Sequence, residues 1–179
     1  MELIIYRHAE PVVSADEIIP GRDFPLWVQR YNKSGILPVN ISRPKEKVVY
    51  TSNLPRSIET GYAAGEKINV TSLLREAEIP LIRFPSLNLK AKKWLYAARI
   101  LWLSGFDRNC ESYSNAKKRA GQVVNMFKTL GRNERRIVAV GHGFINQLIA
   151  KELLRGGWTL KQSPDGNFFP GRMIFEIDY

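Results

Sequence analysis

Short apolar runs set between helix-like stretches constrain this chain more than any other feature. Residues 3–6 ("LIIY"), 47–52 ("KVVYTS") and 136–140 ("RIVAV") are too short for buried helices and rich in β-branched residues, so each predicts a buried strand. "IPLIRF", at 79–84, predicts another strand, and "RMIFEIDY" supplies a last one. Between them, "FPLWVQRYNKSG" predicts a short helix closed by Gly35. "SNLPRSIETGYAAGEKI" predicts a helix capped by Ser52 or Asn53, with Pro55 in its first turn, where a missing N–H does no harm. Leu54, Ile58 and Tyr62 recur at helical spacing and read as its buried stripe. Residues 90–103 read as an unusually aromatic helix. "ESYSNAKKRAGQVVNMFKTLG" reads as a long amphipathic helix with Tyr113, Ala116, Ala120, Val123, Val124, Phe127 and Leu130 inward and Gly131 at its end. A helix over 144–155 follows, closed by Gly156 and Gly157, whereas 11–23 and 37–47 read as irregular. Strands alternating with helices imply an α/β fold with a layered, mostly parallel central sheet.

The totals bound what such a chain can be. At 179 residues it fits one domain with a sizeable core. Its hydrophobic share of 44% and charged share of 25% argue against disorder across the whole chain. The single cysteine, Cys110, leaves no internal disulfide and no cysteine cluster for zinc, so a reducing, cytoplasmic setting is expected. No histidine is left over to activate it, and it reads as a packing residue. The N-terminus lacks the basic region and apolar length of a signal peptide. No run reaches the roughly 20 apolar residues that span a bilayer. The net charge of +10 favours anions of many kinds. Its basic residues (Arg43, Lys45 and Lys47; Lys90, Lys92 and Lys93; 117–119; Arg132, Arg135 and Arg136) are dispersed, with no nucleic-acid-binding motif beside them. A solvated basic face is the expectation, with no specific nucleic acid.

The chemistry concentrates at strand ends. The chain's two histidines each follow a strand-like run: His8 after 3–6, beside Arg7, and His142 after 136–140, before Gly143. Arg56 follows the 47–52 run at a helix start. In open parallel sheets, ligands bind beyond the carboxyl ends of the strands. A parallel sheet would therefore gather Arg7, His8, Arg56 and His142 at one edge. Arginine's rigid fork of donors matches phosphate oxygens two at a time. A neutral imidazole can attack phosphorus and carry it covalently. A second imidazole can donate to an equatorial oxygen, where transition-state charge resides. With cations supplied by side chains, no metal or other cofactor is needed. Flanking arginines lower a histidine pKa and a bound phosphate dianion raises it, and the sequence does not sign the sum. An alkoxide leaving group also needs a proton; Glu76 and Glu78, in "LLREAEIP", are the candidate carboxyls.

"YRHAEP", "YTSNLPRSIETG" and "VAVGHGFI", in that order, resemble three landmarks of the histidine phosphatase superfamily, also called phosphoglycerate mutase-like. These are its Arg-His-Gly signature, its Ser-x-Leu-x-Arg-x-x-x-Thr segment and its Gly-His-Gly segment. "GRDFPL", "LLRE" and "CESY" are weaker echoes. The resemblance implies a three-layer α/β/α sandwich and a small phosphatase branch. It implies that His8 is the phosphorylated nucleophile and that Arg7, Arg56 and His142 hold the phosphate. It further implies Glu76 as proton donor, and Gly21, Arg22 and Gly143 beside the substrate. The sequence departs from the pattern in four places. Ala9 replaces the signature glycine, which is mild provided the backbone there needs no positive φ. "AEIPLIRF" lacks the glycine and Trp-Glu-Gly run that usually follow the glutamate, which keeps Glu78 as the fallback. Cys110 stands where many members have glycine, and the threonine and asparagine usual after the first signature are absent.

The implied activity is metal-independent hydrolysis of a phosphate monoester, a small molecule or a phosphoprotein, through a phosphohistidine. Three alternatives stand beside it: a mutase, a protein phosphohistidine phosphatase, and a noncatalytic module that binds phosphorylated ligands. Residues of about 76–110 are expected to form a lid-like insertion over the site. Its aromatic stretch, 94–106, has three readings: core packing, a membrane-surface helix, or an apolar wall in which Trp94, Tyr96 and Trp102 partly face substrate. No stable membrane contact is expected, and the oligomeric state is left open.

Overall fold

All of Leu3, Ile4, Ile5 and Tyr6 are buried, because the strand they form is covered on both faces. The structure is a computed structural model that describes residues 1–41, 46–163 and 169–178. Its elements run β1 (Glu2–Arg7), β2 (Ile18–Pro20), α1 (Phe24–Lys33), β3 (Glu46–Thr51), α2 (Pro55–Ala64), β4 (Gly65–Val70), β5 (Asn88–Lys90), α3 (Ala91–Leu103), α4 (Tyr113–Leu130), β6 (Arg136–Gly141), α5 (Gly143–Arg155), β7 (Thr159–Gln162) and β8 (Arg172–Glu176). Six strands make one sheet in the order β4-β3-β6-β1-β8-β7. The first four are parallel, and β8 and β7 add an antiparallel edge. The expected α/β fold with a mostly parallel central sheet is what the chain adopts.

Alternation along β1 separates two cores. Leu3 and Ile5 pack with Ala120, Val124 and Phe127 of α4 and Ile145, Leu148 and Ile149 of α5. Ile4 and Tyr6 pack on the opposite face with Val49, Val138 and Ala64 of α2. A third cluster stands apart: Phe24, Trp27 and Val28 of α1 against Ala91, Trp94 and Ala98 of α3. The two-stranded β2–β5 pair lies at its edge, contributing Ile19 and Leu89. At its other end α3 sends Trp102 into the main core, where its indole N–H donates to the Glu111 carbonyl (2.6 Å). Trp94 and Trp102 therefore anchor α3 by packing, and neither lines the cleft described below. Tyr96, 63% exposed, does.

Several local expectations need correction. "IPLIRF" forms no strand. Pro80 lies within it and Pro85 follows it, and Phe84 is drawn into the α1–α3 cluster, stacked on Trp94 and edge-on to Phe24. The strand beside β3 is instead β4, built from residues read as the tail of a helix. Four of its six residues are exposed, so this edge strand carries no apolar run to reveal it. β7 escaped notice for the same reason. The stripe expected on α2 is also displaced: Tyr62 is exposed, and the helix buries Arg56, Ser57, Thr60, Gly61 and Ala64. A face of small residues lets α2 approach the sheet closely, and a Cβ on Gly61 would lie 2.4 Å from Thr51 Cγ2. The N-cap position is Leu54, with Ser52 Oγ accepting the Leu54 N–H (3.2 Å). Arg43 and Lys45, in the stretch expected to be irregular, lie outside the described residues.

The α2–sheet contact gives a direct test. Gly61→Ala gains helix propensity but forces a methyl into an occupied position, so it should cost about 1–3 kcal/mol in denaturant unfolding. Adding Thr51→Ser removes Cγ2 and should recover most of that loss. A G61A chain more stable than the parent would refute the packing described.

Candidate active site

Parallel pairing brings the carboxyl ends of β1, β3 and β6 level. Arg7 pairs with Gly141 and Thr51 with Val140. Past the strand ends, the His8 N–H donates to the Gly141 carbonyl (3.0 Å) and the Ser52 N–H to the Val140 carbonyl (3.2 Å). The segment "SNLPRSIETG" then locks the corner. Ser57 Oγ donates to the Val140 carbonyl (2.8 Å), and Thr60 Oγ1 accepts the Ala9 N–H (2.8 Å). Ala9 is buried without positive φ, so replacement of the signature glycine introduces no backbone strain. Gly141, by contrast, must be glycine: a Cβ there would lie 2.2 Å from Asn146 Oδ1, whose amide nitrogen donates to the Tyr6 carbonyl (3.0 Å).

This corner brings Arg7, His8, Arg56, Gly143 and Glu76 to one cleft of about 760 Å³, with the fully buried His142 ring packed against that of His8. The two imidazole rings are 4.9 Å apart, centre to centre. His8 Nδ1 lies 2.7 Å from the Ala9 carbonyl, which can only accept, so Nδ1 carries the proton and Nε2 the lone pair. Arg56 Nε–H donates to that Nε2 at 3.2 Å. His142 Nε2 lies 2.7 Å from Ser52 Oγ. The Ser52 hydroxyl has no other acceptor among the described residues, so its proton goes to Nε2 and the His142 proton sits on Nδ1. That Nδ1–H is buried with no partner among the described residues, as is Arg7 Nε. Unpartnered buried donors in a polar cleft are what an anion would satisfy.

Burial pushes the His8 pKa well below its ordinary value, with Arg56 and then Arg7 lowering it further and only the Ala9 carbonyl opposing. Burial likewise lowers His142, aided by His8 and the arginines. Both rings are therefore neutral near pH 7. Arg56 is 2% exposed; its Nη1 donates to the Tyr31 carbonyl (3.1 Å) and its guanidinium lies over the Tyr31 ring (4.6 Å). Burial lowers its pKa too, from a starting value high enough to keep the charge. The Arg7 guanidinium lies over the ring of Phe169 (4.0 Å), which also flanks His8 (5.5 Å between centres).

Glu76 Oε1 accepts the Ile145 N–H (2.9 Å) and its own neighbour's, Ala77 (3.0 Å), while Oε2 accepts the Phe144 N–H (3.2 Å). It thus ties the segment after β4 to the first turn of α5, directly after His142. Glu78 also lines the cleft but points its Oε2 to the Glu111 N–H (3.3 Å). Gly21 and Arg22 are not brought to the cleft. Gly21 is packed under the Phe84–Pro85 backbone and Trp94, and Arg22 is exposed beside Asp23. The outer walls come from Val28, Tyr31, Ile79, Leu81, Leu95 and Tyr96. Cys110 lies in the lining too, its thiol pKa raised chiefly by burial. Sequence reasoning missed Ser52, Tyr31 and Phe169. Ser52 lies within the "YTSNLPRSIETG" motif, and the others carry no local signal. Among the described residues, no group of three or more His, Cys, Asp or Glu is placed to hold a metal, and no helix is long and apolar enough to cross a membrane.

Residues 3–168 match the Histidine phosphatase superfamily (branch 1). No curated protein matches the chain. Among solved structures, the chain is similar to an Entamoeba histolytica phosphoserine phosphatase mutant in complex with phosphoserine, at 19% identity, covering 86% of this chain and 80% of that one, TM-score 0.55. It is similar to the alpha-ribazole phosphatase from Shigella flexneri at 13% identity, covering 86% and 79%, TM-score 0.52. It is also similar to YhfR from Bacillus stearothermophilus at 17% identity, covering 99% and 91%, TM-score 0.52. At such identities the likeness is one of fold.

Two buried neutral histidines make stability fall toward acid. Their folded pKa values lie below the unfolded value of about 6.5, so the unfolded chain binds more protons as pH drops through that value. Their contribution is complete above about pH 6.5 and should be lost at up to about 1.4 kcal/mol per pH unit for each ring below it. Urea unfolding from pH 7.5 to 5 should show this slope, and His142→Gln should reduce it by up to half. A slope the same in that variant would contradict the assignment.

Proposed function

Because the chain belongs to the histidine phosphatase superfamily, we propose that it hydrolyses phosphate monoesters through a phosphohistidine formed on His8. The observation that carries this reading is the neutral His8 ring, with its Nε2 lone pair held by Arg56 (3.2 Å) beside an unpartnered His142 Nδ1–H. In the first step Nε2 attacks phosphorus and the bond to the ester oxygen breaks. The leaving alkoxide takes a proton from the Glu76 carboxyl. Arg7, Arg56 and His142 Nδ1–H bear the phosphoryl oxygens and their transition-state charge. In the second step water attacks phosphorus, the N–P bond breaks, and the water proton goes to the Glu76 carboxylate. Free phosphate and the starting protonation states result.

Entry of the phosphate changes the proton balance of the rings. A dianion beside His8 offsets the two guanidinium charges, and transfer leaves the ring covalently charged rather than protonated. The Arg56 N–H that holds the Nε2 lone pair turns to a phosphoryl oxygen at the same moment. One donor thus serves both states.

A cleft of about 760 Å³ holds much more than a phosphate. In this reading residues of about 76–110 cover the site, and Leu95 and Tyr96 of α3 meet the organic part of a small-molecule ester.

Hydrolysis of p-nitrophenyl phosphate with and without EDTA tests the proposal. Activity should survive EDTA, disappear in His8→Ala, and fall about 10²–10³-fold in His142→Ala, the size expected for one oxyanion donor. Turnover that persists in His8→Ala would overturn it. Phosphate binding without any turnover in the parent would favour a binding module, and interconversion of phosphoglycerates a mutase.

A further inference from the structure

The short segment that carries Glu76 has almost no regular structure of its own. After one 3-10 turn (Ser72–Leu74), residues 75–84 make no strand or helix. A carboxyl on such a segment keeps its place only if the backbone is held from outside. Two arginines hold it, one on each side. Arg119 of α4 donates from Nη1 to the carbonyls of Leu73 and Arg75, both at 2.7 Å. Arg99 of α3 donates from Nη2 to the Ala77 carbonyl (2.8 Å) and from Nη1 to the Glu78 carbonyl (3.3 Å). Glu76 lies between the two grips.

The two grips differ in what stands behind them. Arg119 is fixed by a bidentate ion pair with Glu111 (2.8 and 2.5 Å) and belongs to the helix that builds the main core. Arg99 belongs to α3, which walls the cleft. Its guanidinium lies over the rings of Trp102 (4.6 Å) and Phe144 (4.4 Å), which meet edge to face. Phe144 is also the residue whose N–H donates to Glu76 Oε2. Arg99 therefore touches the backbone on the far side of Glu76 and the side chain of a residue that bonds its carboxyl. Burial lowers the Arg99 pKa, and the nearby Glu76 carboxyl opposes that shift.

We propose that Arg99 is the positioning residue for the Glu76 carboxyl, linking the place of α3 over the cleft to proton transfer at the leaving group. This rests on the reading of Glu76 as proton donor. Arg99 itself touches no reacting atom. Its guanidinium bonds two successive carbonyls from two separate nitrogens, which the single nitrogen of an ammonium cannot reproduce. Releasing that grip frees the segment on the α3 side while Arg119 still holds the other. The carboxyl then loses its aim, and a misplacement of about 1 Å is costly in a proton transfer.

The test compares two esters. Nitrophenolate departs without a proton, whereas an alkoxide requires one, so the alkyl-to-nitrophenyl ratio of kcat/KM reports proton donation and not folding or phosphate binding. Glu76→Gln should lower that ratio about 100-fold or more. Arg99→Met should lower it about tenfold, and the double variant should fall no further than Glu76→Gln alone, since Arg99 acts through Glu76. If Arg99→Met does not fold, Arg99→Lys carries the test, because it keeps the charge but not the two-carbonyl grip. A ratio unmoved in Glu76→Gln would remove the proton-donor reading. A ratio lowered in Glu76→Gln but unmoved in the Arg99 variants, or a double variant showing both losses in full, would overturn the positioning role.

Discussion

The hydrogen bond from Arg56 Nε to His8 Nε2 is the contact on which the rest of the site depends. It needs an imidazole with its lone pair free, so it needs His8 neutral. Burial and two nearby guanidinium groups keep it so. It also joins the end of β1 to the first turn of α2, two elements that are not adjacent strands' direct continuation but meet because β6 lies between β1 and β3. Burying the Arg56 guanidinium beside the His8 ring costs desolvation free energy. In the proposed reading a bound dianion would offset that cost.

Much of the fold was legible because buried parallel strands must be apolar on both faces. The runs at 3–6, 47–52 and 136–140 have no other easy home, and β1, β3 and β6 are the strands that meet at the cleft. The elements that went unread are those whose place is set by neighbours. β4 and β7 are exposed edges held by register with β3 and β8. α2 defied its apolar spacing because its inward face is chosen for closeness to the sheet and for delivering Arg56, so Ser57, Thr60 and Gly61 go in and Tyr62 goes out.

The site divides in the same way. His8, Arg7, Arg56 and His142 were readable because each sits within a short motif at a strand end. Gly21 and Arg22 followed from family resemblance alone, and the chain packs them elsewhere, under or beside the α1–α3 cluster. Tyr31, Phe169, Arg99 and Arg119 act through contacts between distant segments, and no local pattern distinguishes them from ordinary surface or core residues. The aromatic α3 illustrates why composition misleads here. Its two tryptophans serve as anchors at either end, and the cleft is lined instead by Leu95, Tyr96 and Arg99.

In the proposed mechanism phosphorus changes partners twice, once onto a ring nitrogen and once onto water. Each in-line displacement inverts the configuration at phosphorus. A phosphorothioate monoester made chiral with two oxygen isotopes, hydrolysed in water of the third, reports the sum whether or not an intermediate accumulates. Two displacements predict overall retention. Overall inversion would mean that water attacks the ester directly, and it would contradict the account.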